Sequence, residues 1–336
     1  MKKNILLSLV VSTSISLLNA SNSYLLEPEA AVKMINSKSV QFISIGTEQN
    51  IITGSTRVDI NKLLDIDVLG NMKCEPFLIC PQKLKKYLED KEVSSNQELI
   101  LYDGEYGINA ATLYFMLKAM GHKNIKILNA NYESIQKLDP NQESYNKYLK
   151  EKKIILSLDN NDSNKDKSIS MIEGLTNKLS VLKPLLLVQT VSTKKRKDTN
   201  TSYELDRSKF SFDSLIDKDL LKKAVNKVRE EGVESNISIV DACSMIDIVG
   251  NAYGSYASGV YSIDWKDVIS SEKKTLKSKE LLQEIFEKRG LKKEKDIYVY
   301  CMGESQKAFY LALALHQAEY LKVKVFSGNW SVWRRD

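Results

Sequence analysis

Ile297-Tyr298-Val299-Tyr300-Cys301-Met302-Gly303-Glu304-Ser305-Gln306 carries the change of pattern that decides the fold. A β-rich run ends on a cysteine, a short loop with one glycine follows, and Lys307 to Ala318 reads as a helix. A thiol so placed lies at the carboxyl end of a strand, just before a helix N-terminus. Loop and first-turn N–H groups at such a place favour an anionic sulfur over the neutral thiol. Taken alone, the pattern reads better as a small buried hydrophobe at a strand end.

Working outward, the same alternation of elements recurs. Downstream lies the strand Val323-Lys324-Val325-Phe326. Upstream, Lys279 to Lys288 is a helix closed by Gly290, Ile237 to Val240 is a strand ending at Asp241, and Lys218 to Arg229 is a helix. In the first half, Glu27 to Ile35 is a short helix with Pro28 in its first turn, and Ser39 to Ile45 is a strand. Gln82 to Leu88 is a helix, Glu98 to Tyr102 a strand ending at Asp103, Ile108 to Met120 a helix capped by Gly121, and Asn124 to Leu128 a strand. Strands alternating with helices at this spacing predict βαβ units and a parallel sheet.

The two halves read as one unit written twice. Asp103 to Asn131 and Cys301 to Asn329 both span 28 positions, so Asp103 stands in the slot of Cys301 and Ala110 in that of Ala308. Upstream, Ser44 lies 59 positions before Asp103 and Asp241 lies 60 before Cys301. A strand–loop–helix–strand unit repeated at one register predicts duplicated domains.

The 336 residues are 43% hydrophobic, enough for a sizeable core and two domains. A formal net charge of +6 with interspersed acids describes a solvated surface. The densest basic run, Lys194 to Lys197, has no interleaved aromatic residues and reads as a loop, so no nucleic-acid partner is expected. Met1-Lys2-Lys3, the apolar Ile5 to Leu18 and the Leu18-Asn19-Ala20 site before Ser21 read as a secretory signal of bacterial type. Retained, that segment would anchor the chain; once it is removed, no later stretch is long and apolar enough to span a membrane. A periplasmic or secreted location follows as the expectation.

Export permits disulfides. Cys74 and Cys80 sit in a loop-like stretch with Pro76 and Pro81, which admits a local disulfide, the reading preferred here, or two buried thiols. His122 and His316 are far apart and lack ligand-like neighbours, so no metal is expected. His316, four turns along its helix, reads as an ordinary helix histidine rather than a partner of Cys301.

At this point the chain resembles the tandem-domain rhodaneses, the thiosulfate and 3-mercaptopyruvate sulfurtransferases, over nearly all of the segment after the signal. Val240-Asp241-Ala242 is similar to the family's Val-Asp-Ala-Arg strand end. Ser255 to Trp265 falls where the family has Gly-His-Ile-Pro-Gly-Ala and a following Ile-Pro-Trp, Cys301 where it carries its persulfide cysteine, and Gly328 to Trp333 resembles its terminal Gly-Ser-Trp-Ser-Glu-Trp. The departures are Cys243 in place of arginine, Gly303 at the third and Glu304 at the fourth loop position, and Met302 at the position that tunes donor choice.

The resemblance implies an α/β fold of two tandem rhodanese-like domains, each a central parallel sheet flanked by helices. Residues 1–20 are then the signal peptide, 21–158 a degenerate first domain, 159–208 a polar linker or insertion, and 209–336 the domain with the working cysteine. It implies transfer of a sulfane sulfur from thiosulfate or a similar small anion through a Cys301 persulfide to a thiol or protein acceptor, without a cofactor. The loop Met302, Gly303, Glu304, Ser305, Gln306 and Lys307 would bind the donor. Its N–H groups form an anion nest, and the Ser305 and Gln306 side chains donate further bonds. Lys307 either attracts a sulfite-like group or is a solvated first-turn lysine. Glu304 raises the thiol pKa if it points inward and supports the helix N-terminus if it points outward. Asp241 and Cys243 are auxiliary candidates. Cys243 is either a resolving thiol for Cys301 or a plain buried thiol. Trp330 and Trp333 read as core or interface aromatics. Other readings are a non-catalytic rhodanese-like binding protein, a redox-active periplasmic thiol protein, and phosphate or arsenate chemistry, which would want an arginine where only Lys307 stands.

Overall fold

The computed structural model describes residues 24–35, 37–46, 52, 54–66, 72–104, 106–130, 134, 203–243, 260–301 and 303–328. The first unit contains β1 (Leu25–Leu26), α1 (Pro28–Val32), β2 (Val40–Ile45), β3 (Thr56–Val58), α2 (Pro81–Asp90), β4 (Glu98–Asp103), α3 (Ile108–Ala119) and β5 (Ile125–Leu128). The second contains β6 (Leu215–Ile216), α4 (Lys218–Glu231), β7 (Ile237–Asp241), β8 (Val260–Ser262), α5 (Lys279–Lys288), β9 (Asp296–Tyr300), α6 (Ser305–Gln317) and β10 (Val323–Phe326). All strand pairs are parallel, in the orders β1-β5-β4-β2-β3 and β6-β10-β9-β7-β8. The two orders are one permutation written twice, as the spacing of the halves predicts.

The central strands are buried along almost their whole length, from Leu99 to Asp103 and from Ile297 to Tyr300. Helices covering both faces of a parallel sheet require such continuous apolar runs. The outer helices bury one face only. In α4, Leu221, Ala224, Val225 and Val228 turn inward at helical spacing, the Asp217 carboxylate accepts the Leu220 N–H at 2.7 Å, and Gly232 closes the end. In α5, Leu282 and Phe286 turn inward and Ser278 caps the start. Helix α3 and helix α6 are different, being buried on nearly every side.

Those two helices are equivalent members of the repeat, and they pack on each other between the units. Phe115 meets Phe309 at a ring separation of 5.5 Å and the His316 ring at 5.8 Å, and Tyr24 lies edge-on to His316 at 5.7 Å. One hydrophobic core runs across the contact, from Ile43 and Leu101 through Phe115 and Phe309 to Val325. His316 is therefore an interface residue, not the ordinary helix histidine expected from its position. The sequence shows its place along α6 but not what α3 brings against it.

Cys74 and Cys80 are joined in a disulfide, with Cα atoms 5.2 Å apart. The loop so closed docks on the second unit. Ser327 donates to the Pro76 carbonyl at 2.7 Å, Glu75 accepts the Lys218 N–H at 2.6 Å, and Phe77 meets Phe210 edge-on. Tyr203 is buried on the first unit, with its hydroxyl 2.9 Å from His122 Nδ1, and the Ser211 N–H donates to the Ala119 carbonyl. The chain thus runs along the end of α3 before it enters β6. No helix among the described residues is long and apolar enough to cross a membrane.

Burial, with help from the nearby Lys118 charge, lowers the His316 pKa to about 4. Between the unfolded value near 6.5 and that depressed value, the unfolded chain binds a proton that the folded chain refuses. Stability therefore falls as pH falls through this window. Between pH 7 and pH 5, wild type should lose about 2 kcal/mol more than a His316→Leu variant in paired urea melts. Parallel losses in the two proteins would rule out this role for His316.

Candidate active site

The site forms where β7 and β9 end side by side. Asp241 pairs with Tyr300 in the ladder, and the Ala242 N–H donates to the Tyr300 carbonyl at 2.8 Å, extending the register by one step. The next residues out, Cys243 and Cys301, are buried and joined in a disulfide with Cα atoms 5.0 Å apart. The Asp241 carboxylate accepts the Cys243 N–H at 2.9 Å, and one of its oxygens and the two sulfurs all lie within 4.8 Å of one another. Of the two readings of Cys243, the plain buried thiol is excluded. Cys301, read from sequence as a reactive thiol with Cys243 as its candidate partner, is the other half of the bond.

Helix α6 begins directly after the cysteine loop. Ser305 is buried, Gln306 half-buried, and Gly303 and Glu304 exposed; Met302 lies outside the described residues. The Glu304 side chain is 67% exposed and points outward, toward Lys307 Nζ at 3.5 Å. Lys307 is not the solvated first-turn lysine of one sequence reading. Its side chain is only 10% exposed, and its ammonium stands 5.9 Å from the Trp265 ring centroid. The fold keeps a cation beside the cysteine loop by burying the aliphatic stem of Lys307.

The sister unit shows what its equivalent slot holds. Asp103 follows β4 as Cys301 follows β9, and its carboxylate is buried against the start of α3. One oxygen accepts the Gly107 N–H at 2.8 Å, and the other accepts those of Asn109 at 2.8 Å and Ala110 at 3.0 Å. Gly107 precedes the helix at a φ of 91°, a left-handed conformation that glycine adopts without a Cβ penalty. The slot is thus an anion nest at a helix N-terminus, and in this unit a fixed carboxylate fills it.

An aromatic wall borders the second site. Trp265 opens a short 3-10 turn (Trp265–Val268), and its N–H donates to the Ala242 carbonyl at 3.2 Å. Its ring meets Tyr310 of α6 at 6.3 Å and Tyr106 of the first unit at 6.0 Å. The Trp265 Nε1 and the Tyr310 hydroxyl are buried without a hydrogen-bond partner among the described residues. Burial, and secondarily the Asp103 carboxylate, raises the Tyr310 pKa, so its proton is retained and available for donation. Sequence reading quoted Trp265 but missed Tyr106 and Tyr310. Their only signal was a position near the cysteine loop or its counterpart. The segment Ser255 to Gly259, Asn329, Trp330 and Trp333 lie outside the described residues.

No protein-family model matches the chain, and no curated protein sequence matches it. Solved structures do. The chain is similar to SseA from Escherichia coli, described as a 3-mercaptopyruvate sulfotransferase with the rhodanese fold, at 17% identity and a TM-score of 0.59, over 92% of this chain and 99% of that one. It is similar to the sub-stoichiometric sulfur transferase subunit of yeast mitochondrial complex I at 19% identity and a TM-score of 0.60, over 92% and 95% of the two chains. It is also similar to EanB carrying a cysteine persulfide in a tetrahedral intermediate state with ergothioneine, at 13% identity and a TM-score of 0.60, over 94% and 69%. The protein is an α/β chain of two tandem rhodanese-fold domains.

Removing the carboxylate that fills the sister slot leaves three N–H groups without their acceptor. Asp103→Ala should cost about 2–4 kcal/mol in urea unfolding, and Asp103→Asn, which keeps one acceptor oxygen, should cost less. Equal stability of all three proteins would show that the nest has no need of an anion.

Proposed function

We propose that the chain is a sulfurtransferase whose second domain carries a sulfane sulfur as a persulfide on Cys301. The observation that carries this reading is the equivalence of Cys301 with Asp103, whose carboxylate sits in an anion nest of three N–H groups. A thiolate or persulfide in the same slot of the second domain would meet the start of α6 and the buried Lys307 ammonium. Sulfur transfer by rhodanese-fold neighbours, one of them carrying a cysteine persulfide, supports the reading.

In the reaction, the Cys301 thiolate attacks the outer sulfur of thiosulfate or a similar anion. The donor S–S bond breaks and sulfite leaves with the electron pair. An acceptor nucleophile then attacks the outer sulfur of the persulfide, and the Cys301 thiolate is the leaving group. Lys307 holds the negative end of the donor, while Ser305 and Gln306 border the loop. The disulfide form has no free Cys301 thiolate to take up sulfur and must be reduced before the first turnover. Cyanide serves as an assay acceptor, and a thiol or protein is the acceptor in the periplasm; no cofactor takes part. A redox-thiol protein is the second reading, favoured by the Cys243–Cys301 bond.

Reduced protein should form thiocyanate from thiosulfate and cyanide, and Cys301→Ser should lower the rate at least a hundredfold, to the uncatalysed level, at unchanged fold stability. A reduced wild type that gains no sulfur from thiosulfate or polysulfide would select the redox-thiol reading instead. The proposed export, consistent with the Cys74–Cys80 disulfide, has its own check. N-terminal sequencing of protein made in a bacterial host should start at Ser21, in the periplasmic fraction. Unprocessed chain in the cytoplasm would contradict it.

A further inference from the structure

Building on the persulfide reading of Cys301, we infer that Cys243 is its resolving thiol. It attacks the inner sulfur of the persulfide, expels hydrosulfide and forms the Cys243–Cys301 disulfide, which a dithiol reductant reopens. This gives the persulfide a second outlet beside transfer to an external acceptor: the pair's own reducing equivalents release its outer sulfur as sulfide.

The geometry for the step is already built. The β7–β9 register holds the two Cα atoms 5.0 Å apart, inside the range a disulfide needs without backbone movement. Both cysteines are buried at 1% exposure, and Cys243 is at bonding distance from Cys301. Holding reactants together in this way favours the internal attack by a large effective concentration. The two cysteines also go together. In the sister unit Ser44 pairs with Tyr102 as Asp241 pairs with Tyr300, which places Gly46 where Cys243 stands and Asp103 where Cys301 stands. The unit without the nucleophile lacks the partner too.

Atoms and electrons balance. The ionised persulfide and the Cys243 thiol give the disulfide and hydrosulfide. The inner S–S bond breaks, a new S–S bond forms between the two cysteines, and the outer sulfur leaves with two electrons. The proton of the Cys243 thiol goes to the leaving sulfur, by way of the Asp241 carboxylate, which lies within 4.8 Å of both cysteine sulfurs. The resulting disulfide is an oxidised state of the protein, so each cycle needs two electrons from outside. A dithiol suits this better than a monothiol. Its second thiol displaces the first from the mixed disulfide before Cys243 or Cys301 can close back on itself. The exposed Gly303 and Glu304 mark the side from which such a reductant approaches.

The test is a single turnover. The full chain is reduced with a phosphine, desalted without air and mixed with one equivalent of thiosulfate. Sulfide is then read colorimetrically, and the protein by intact mass and non-reducing peptide mapping. Wild type should release about one equivalent of sulfide without added thiol and end as the Cys243–Cys301 disulfide. Further release should require an added dithiol. Cys243→Ser should keep the extra sulfur and release sulfide at least about tenfold more slowly, with Cys243→Ala repeating the result against any packing defect. A wild type that keeps its persulfide and releases sulfide no faster than the variants overturns the resolving role and leaves the sulfurtransferase reading intact. If neither wild type nor variants take up sulfur, the sulfurtransferase reading fails and this inference with it.

Discussion

The register between β7 and β9 is the constraint on which the site depends. Asp241 lies opposite Tyr300, and the ladder carries on one residue past the end of each strand. Every consequence at the site follows from that offset. It brings Cys243 beside Cys301, turns the Asp241 carboxylate toward the Cys243 N–H, and lets the Trp265 N–H close on the Ala242 carbonyl. A slip of one residue would reverse which face each side chain occupies and separate the two sulfurs.

Duplication supplies the second element of the design. Each unit ends its central strand in front of a helix N-terminus, and each fills that place with a group that is, or can become, an anion. In the first unit the Asp103 carboxyl group accepts three N–H groups at the start of α3. In the second unit a cysteine stands in the same place, bonded to Cys243. The equivalent helices α3 and α6 then pack on each other, with Phe115 against Phe309, and a single core holds both units. The first unit supplies Tyr106 to the aromatic wall of the second. Its Asp103 charge also helps hold the Tyr310 proton in place.

Much of this was legible in the sequence. The apolar runs Leu99 to Tyr102 and Ile297 to Tyr300 are long enough for buried strands, and the glycines at 121 and 290 mark helix ends. Lys279 to Lys288 and Val323 to Phe326 fall where periodicity places them. The common 28-residue spacing from Asp103 and from Cys301 implies one unit twice, and the identical strand orders follow from it. The helix after Cys301 begins at Ser305 rather than Lys307, because the Lys307 N–H already bonds back to the Glu304 carbonyl.

Local pattern and repeat spacing by themselves determined the α/β class and the duplication. Those properties are written in neighbouring residues and in distances along the chain. Only the tertiary structure decided that Cys243 is bonded to Cys301, that Lys307 is buried against Trp265, and that His316 is held neutral between the units. Each of these depends on two segments far apart in sequence meeting at one register or one helix crossing. The two cysteines lie 58 positions apart in the chain, and no local preference states that they will meet. The burial that lowers the His316 pKa comes from the packing of the other unit, which α6 alone does not specify.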